Sequence, residues 1–430
     1  MKTAHVALVL AVGAVFATGC KKPSADANKS NGGGAAANNA GGSGGGSGGS
    51  GGGSGGGSNE NGASAAGTAG SGTPGKGCDI PSSIKSDYTV TKGCTLVVKD
   101  NVRVDEGATL TIEEGVKLSW ETDTFLWVDY GKLVVKGTEK DPVLFTSNNK
   151  SPAAGDWVGV GFAEKVASGT SVDHLIVEYA GSKASGGEAA IHLDGMRAPG
   201  RVSITHSTFR KSAQFGLTST ENGNFAKFEN NSFAENKLGS MRVWGSTLGS
   251  VGAGNKFVDP IHVLDSSIHE TQSWPPFDVP VVLEGNLHIK GDSTAPTLTL
   301  APGTIVKVAQ DIYIEVGSDG GGALVAKNVT FTSASATPAD GDWAGIFIYS
   351  KSNGTSFDGC TFEYFGNKAG GGEGALTLYG VNAKDLRNVT VTNSTFRHGK
   401  LSAMSSDDHD CAAYTKGNKV EGVPFCAKAE

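Results

Sequence analysis

Gly155-Asp156-Trp157-Val158-Gly159 returns as Gly341-Asp342-Trp343-Ala344-Gly345, at an offset of 186 (341 − 155), and its surroundings return with it. Val177-Glu178-Tyr179-Ala180-Gly181-Ser182-Lys183 corresponds to Phe362-Glu363-Tyr364-Phe365-Gly366-Asn367-Lys368. Gly186-Gly187-Glu188-Ala189-Ala190 corresponds to Gly371-Gly372-Glu373-Gly374-Ala375, and Ser207-Thr208-Phe209-Arg210 to Ser394-Thr395-Phe396-Arg397, at offsets of 185 and 187. Upstream, Thr109-Leu110-Thr111-Ile112 pairs with Thr297-Leu298-Thr299-Leu300, and Phe145-Thr146-Ser147 with Phe331-Thr332-Ser333. A match of this length is an internal duplication, the mark of a repeat architecture.

A shorter period lies inside the long one. Phe209, Phe233 and Phe257 recur at a constant interval of 24 (233 − 209), which also separates Phe396 from Val420. Gly254-Asn255-Lys256-Phe257 matches Gly417-Asn418-Lys419-Val420 at an offset of only 163 (417 − 254), so the second copy has lost one unit of that period. A fold that loses one unit and stays in register is a stack in which each layer touches only its neighbours. The units are short alternating runs such as Ala108-Thr-Leu-Thr-Ile, Lys132-Leu-Val-Val-Lys, Val143-Leu-Phe-Thr-Ser and Val202-Ser-Ile-Thr-His. Val, Ile, Thr and Phe at period two suit strands with one face inward, and Gly, Asn, Asp and Ser between the runs supply turns. Three runs per unit predict one coil of an all-β parallel β-helix solenoid. The asparagines of Asn230-Asn231-Ser232-Phe233 and of Asn393-Ser394-Thr395-Phe396 fall at turns, where their amides are expected to stack between coils.

The succession Gly-Ala-Thr-Leu-Thr-Ile, Leu-Val-Val-Lys-Gly-Thr, Phe-Thr-Ser and Gly-Asp-Trp resembles bacterial right-handed parallel β-helix repeat proteins of the pectate-lyase-like superfamily, over roughly residues 90–425. The resemblance implies a single-stranded right-handed helix. It is weak for function, because this fold carries lyases, hydrolases, adhesins and proteins of other roles.

Residues 1–19 read as a lipoprotein signal peptide: Lys2, a mostly apolar run, then Phe16-Ala17-Thr18-Gly19-Cys20. The small residues before Cys20 resemble a bacterial lipobox with Cys20 as the lipidated residue; an ordinary secretory signal is the alternative. No Asp follows Cys20, which by analogy directs the protein to the outer membrane, periplasmic or surface-facing. Residues 20–77, nearly all Gly, Ser, Ala and Asn beyond Lys21-Lys22, cannot bury enough apolar surface to fold and form a disordered tether, with a reach of roughly 40 Å. Residues 78–260 and 261–430 are then the two halves of the helix, the second ending in a cap.

Four cysteines frame those halves. Cys78 lies close to Cys94 in sequence and Cys411 close to Cys426, and each pair sits at one end of the stack. In an exported chain they are expected to form disulfides that staple the ends; no CxxC spacing supports metal binding there. Cys360 aligns near Leu175 and reads as a buried thiol. A net charge of −7 without basic blocks argues against nucleic acid as a partner.

Catalysis would need groups outside what both copies share. Asp156, Glu178 and Glu188 recur as Asp342, Glu363 and Glu373, so they are assigned to the coil itself: the aspartates as acceptors at a turn, Glu178 with Lys183 as a surface pair, and Trp157 and Trp343 as packing at the coil edge. His192 and His206 become Thr377 and Asn393, and with Asp173, His174 and Asp194 they are the weak catalytic candidates, none of them assigned a catalytic role. No cofactor or metal is expected, calcium on carboxylates being the one conceivable ion; Asp407-Asp408-His409-Asp410 reads as a loop. The expected function is a non-enzymatic outer-membrane lipoprotein presenting a rigid helix to a polysaccharide or a surface protein. The rival is a carbohydrate-active enzyme, a lyase or hydrolase. Substitution of Cys20→Ser is expected to move the protein from the membrane to the soluble fraction on cell fractionation.

Overall fold

The computed structural model describes residues 75–428 apart from 164, 196–200, 222, 292, 381–388, 407–410 and 412–413. Residues 1–19, the lipidation site Cys20, most of the tether and the Asp407–Asp410 run lie outside the described residues. Gly75–Gly77, assigned to the tether by sequence, is the first strand and pairs with Tyr88–Val90.

Every strand pair is parallel, and the strands form five sheets among the described residues. Sheet A has seven strands, sheet B fourteen, sheet C six, sheet D seven and sheet E five. Each strand bonds to the strand one coil away. In the first half a coil runs from sheet A (Thr109–Glu113) through sheet C (Lys117–Trp120) to sheet B (Phe125–Val128). The fold is a right-handed parallel β-helix, as the sequence predicts.

Alternate residues of each run face the interior and stack in register. Val90, Ile112, Val135, Val172, Ile204 and Phe228 line sheet A, all buried. Phe145, Val177, Phe209 and Phe233 line sheet C, and the Phe209 and Phe233 rings lie 5.3 Å apart. Burying each such side chain stabilises the fold by about 1.5–3 kcal/mol, so the phenylalanine period is a core signal. Trp157 and Trp343 belong to this interior rather than to the coil edge. Both are fully buried and donate Nε1–H to the carbonyls of Glu178 and Glu363 at 2.9 and 2.7 Å.

Turns carry a second ladder, of polar side chains. Asn231 Oδ1 accepts the backbone N–H of Ser207 at 3.0 Å, and Asn255 Oδ1 that of Asn231 at 2.9 Å. Asn231 and Asn255 each also donate Nδ2–H to a carbonyl of the preceding coil, and Asn418 repeats both bonds in the second copy. Asp156 and Asp342 accept the backbone N–H of Ala153 and Ala339, closing a turn. Glu178 does not pair with Lys183: it is buried and held by Arg210 of the next coil at 2.7 Å, as Glu363 is by Arg397 at 2.5 Å. The partner sits across the coil boundary because in-register strands bring Glu178 and Arg210 side by side, whereas Lys183 lies around a turn.

The two copies are out of phase by one face. Thr297–Leu300, Ile305–Val308 and Tyr313–Val316 repeat the coil quoted above, yet they lie in sheets E, B and D. Sheet B therefore joins first-copy strands such as Phe125–Val128 to second-copy strands equivalent to those of sheet C. The change of face follows Gly239–Val243, where a helical turn, Gly245–Leu248, is inserted ahead of the segment whose Gly252 N–H still bonds to the Phe228 carbonyl of sheet A. Ser266 Oγ of the first sheet D strand accepts the N–H of Gly245 at 2.9 Å, seating sheet D on that turn. Cys78–Cys94 and Cys411–Cys426 are disulfide-bonded, one at each end of the stack. Cys360 is a free, buried thiol whose burial pushes its pKa up to about 11.

Replacing Asn231 by Ala leaves the buried Ser207 N–H without an acceptor and is expected to cost about 1–3 kcal/mol, read as a lower denaturant midpoint with an unchanged m-value.

Candidate functional site

The outward face of sheet B carries one side chain per coil in register: Arg103, Trp127, Gly161, His192, Thr218, Arg242 and His262. Gly161 is the gap in that row. A Cβ built there would stand 1.9 Å from Trp127 Cζ3, so the indole lies flat across the Gly161 backbone. It reaches toward His192, the ring centroids being 6.2 Å apart. The loop Ser185–Ala189 borders a recess of about 360 Å³ above this platform. Arg103 stands at one end, over the Phe125 ring at 5.4 Å, and Glu188 is exposed at the rim.

His192 faces Thr218, Nδ1 to Oγ1, at 2.8 Å. Burial pushes its pKa below the ordinary value, against the opposing charges of Asp194 and Glu188. Its neutral form is thereby favoured, a form that donates one hydrogen bond and accepts another.

The second copy shows what the fold itself requires here. At the places of Trp127, Gly161 and His192 stand Glu315, Phe347 and Thr377. Phe347 is buried and stacks on Tyr313 at 4.8 Å. Gly370 and Gly372 lie so close that a Cβ on either would meet its ring at 2.9 or 2.5 Å. The equivalent of the recess is thus filled. A flat indole over a glycine, with an imidazole beside it, belongs to the first copy alone. Sequence reasoning found His192 but did not pair Trp127 with Gly161. The signal was available, because aligning the copies sets the pair Trp127/Gly161 against Glu315/Phe347.

A second recess, of about 650 Å³, continues along the sheet and shares Gly186–Glu188 with the first. Glu284 closes it, bonded to Arg242 Nε at 2.8 Å and His262 Nδ1 at 2.7 Å. The His262 bond, with help from Arg242, outweighs partial burial and brings the Glu284 carboxyl down to about 2. Leu238 is 49% exposed at this rim.

The other candidates are elsewhere. Asp173, His174 and His206 meet on the turn between sheets A and C: Asp173 Oδ1 accepts from His206 Nδ1 at 2.9 Å and from Thr205 Oγ1 at 2.8 Å. The two imidazoles stack at 4.7 Å. Burial opposes ionisation of Asp173, but these bonds and both histidines hold its pKa below the usual range. Asp194 follows the strand Ala189–Leu193, where Thr220 Oγ1 approaches it at 3.4 Å. The five candidates therefore do not form one constellation. Among the described residues no helix is long and apolar enough to cross a membrane.

Because the folded-state pKa of Glu284 is depressed, its contribution to stability is present above pH 4.5, the ordinary glutamate value, and is lost as the pH falls toward 2. Glu284→Gln should therefore melt below the wild type at pH 7, with the two Tm values converging as the pH is lowered through that window.

Residues 82–191 match the family model described as a pectate-lyase like beta helix domain, a span that includes Arg103, Trp127 and Gly161 and ends one residue before His192. Comparison with curated proteins and with solved structures gave no match. With that match and its all-parallel sheets, the chain is a right-handed parallel β-helix repeat protein.

Proposed function

We propose that the protein is a non-enzymatic binder of polysaccharide, held by a lipid on Cys20 and a flexible tether at the outer membrane, and that its ligand lies along the outward face of sheet B. The observation that carries this reading is the Trp127 platform. An indole laid flat on a glycine offers its free face to a flat apolar ligand surface, as the C–H face of a sugar ring provides. The flanking Arg103, His192 and Glu188 offer the polar contacts that orient hydroxyl groups. The row runs across successive coils, so a polymer rather than a single small molecule matches its length.

A second reading, a polysaccharide lyase or glycoside hydrolase, draws on the family match and on the neutral imidazole of His192 beside Glu188 and Arg103. A neutral histidine can act as a general base.

One glycan panel separates the two. For a binder, some glycan is retained without chain shortening, and Trp127→Ala weakens retention on the order of 10-fold. Gly161→Phe, which installs the residue found at that place in the second copy, should abolish binding while the protein still melts cooperatively. Cleavage products that vanish with His192→Ala would establish the enzyme. Undiminished binding by both Trp127→Ala and Gly161→Phe would remove sheet B as the site.

A further inference from the structure

We propose that Asp173, His174 and His206 form a binding site for a divalent transition-metal ion that ties two neighbouring coils together. The site is on the turn between sheets A and C and is independent of the groove on sheet B. One carboxylate oxygen and one nitrogen from each imidazole lie within 4.8 Å of one another. Asp173 and His174 come from one coil and His206 from the next.

The fold gives no reason for two imidazoles here. His174 and His206 both have φ of 50°, in the left-handed region. The same turn position elsewhere is occupied by Asn230, Asn328, Gly359 and Asn393, residue types that tolerate that conformation. The second copy keeps the carboxylate and its bracket: Asp358 Oδ1 accepts from Thr392 Oγ1 at 3.0 Å and from Asn393 Nδ2 at 2.8 Å. Asparagine thus supplies all that the turn needs, and at the places of His174 and His206 that copy has Gly359 and Asn393.

The first copy also leaves a donor atom unused. His174 Nδ1 is buried without a hydrogen bond, although it stands 3.1 Å from Asp173 Oδ1. Two imidazole nitrogens and one carboxylate oxygen suit Zn²⁺, Ni²⁺ or Cu²⁺ and not Ca²⁺, which takes oxygen ligands. Stacked rings cannot both aim an in-plane lone pair at one ion, so loading requires one ring to turn. His206 is the freer, its side chain 44% exposed against 23% for His174. Once His206 Nδ1 binds the ion, its proton resides on Nε2. Asn230, whose amide lies 3.3 Å from Nε2, then accepts that proton's hydrogen bond by presenting its oxygen. Water completes the coordination.

Calorimetric titration of the full chain with Zn²⁺, with Ca²⁺ as control, tests the site. The wild type should bind Zn²⁺ in the presence of excess Ca²⁺ and melt at higher temperature when loaded. His206→Asn retains the bond to Asp173, as Asn393 does to Asp358, and should lower zinc affinity about 10-fold or more. His174→Gly, matching Gly359, should do the same and carries the comparison if His206→Asn fails to fold. No zinc binding by the wild type, or equal binding by wild type and a folded variant, overturns the proposal.

Discussion

Every strand among the described residues finds its hydrogen-bonding partner one coil away, and that single constraint governs the rest. A coil that gained or lost a residue in a strand would reverse the inward and outward faces of the strands after it. The turns must therefore absorb all variation in length. They do so with fixed devices: left-handed residues at the corners, and asparagine side chains that accept an N–H of the preceding coil while donating to a carbonyl of that same coil. The apolar ladders inside and the amide ladders at the corners hold the same spacing, so each reinforces the register that the other requires.

The period of this stack was open to reading in the sequence because it is written in large buried side chains. Phe209 and Phe233, and likewise Phe396 and Val420, occupy matching places in adjacent strands. The disulfides were equally legible, since their positions bracket the coils. What the sequence did not disclose is direction around the coil. Glu178 looks like a neighbour of Lys183 along the chain, but Arg210, one coil on, lies nearer in space. Trp157 looks like an edge residue beside Gly155 and Asp156, yet the turn that Asp156 closes aims the indole into the core, where it stacks on Trp120 at 5.0 Å. Alternation identifies two faces but does not say which indole each coil can bury.

The candidate groove illustrates the complementary difficulty. Residues shared by both copies report what the coil needs, and the informative positions are those where the copies part. His192 could be singled out on that ground alone. Trp127 and Gly161 could not be weighed singly, because their meaning lies in the pair: the Trp127 ring lies flat across the next strand because Gly161 has no side chain there. Phe347 shows the opposite solution to the same space, with the ring tucked beneath a glycine-rich loop. Duplication thus supplies an internal reference state, one copy closed and the other open.

The helical turn Gly245–Leu248 has an effect that reaches far beyond its own length. By seating the first strand of sheet D, it works as a gear tooth that advances the pattern by one side of the prism. Two copies that would otherwise present duplicate surfaces in a single line instead look outward in different directions. Sequence kinship and spatial kinship are thereby uncoupled: the neighbours along sheet B are not cousins, and the cousins are not neighbours. Sheet B is consequently a patchwork of two ancestries, free to acquire chemistry that neither copy could hold alone.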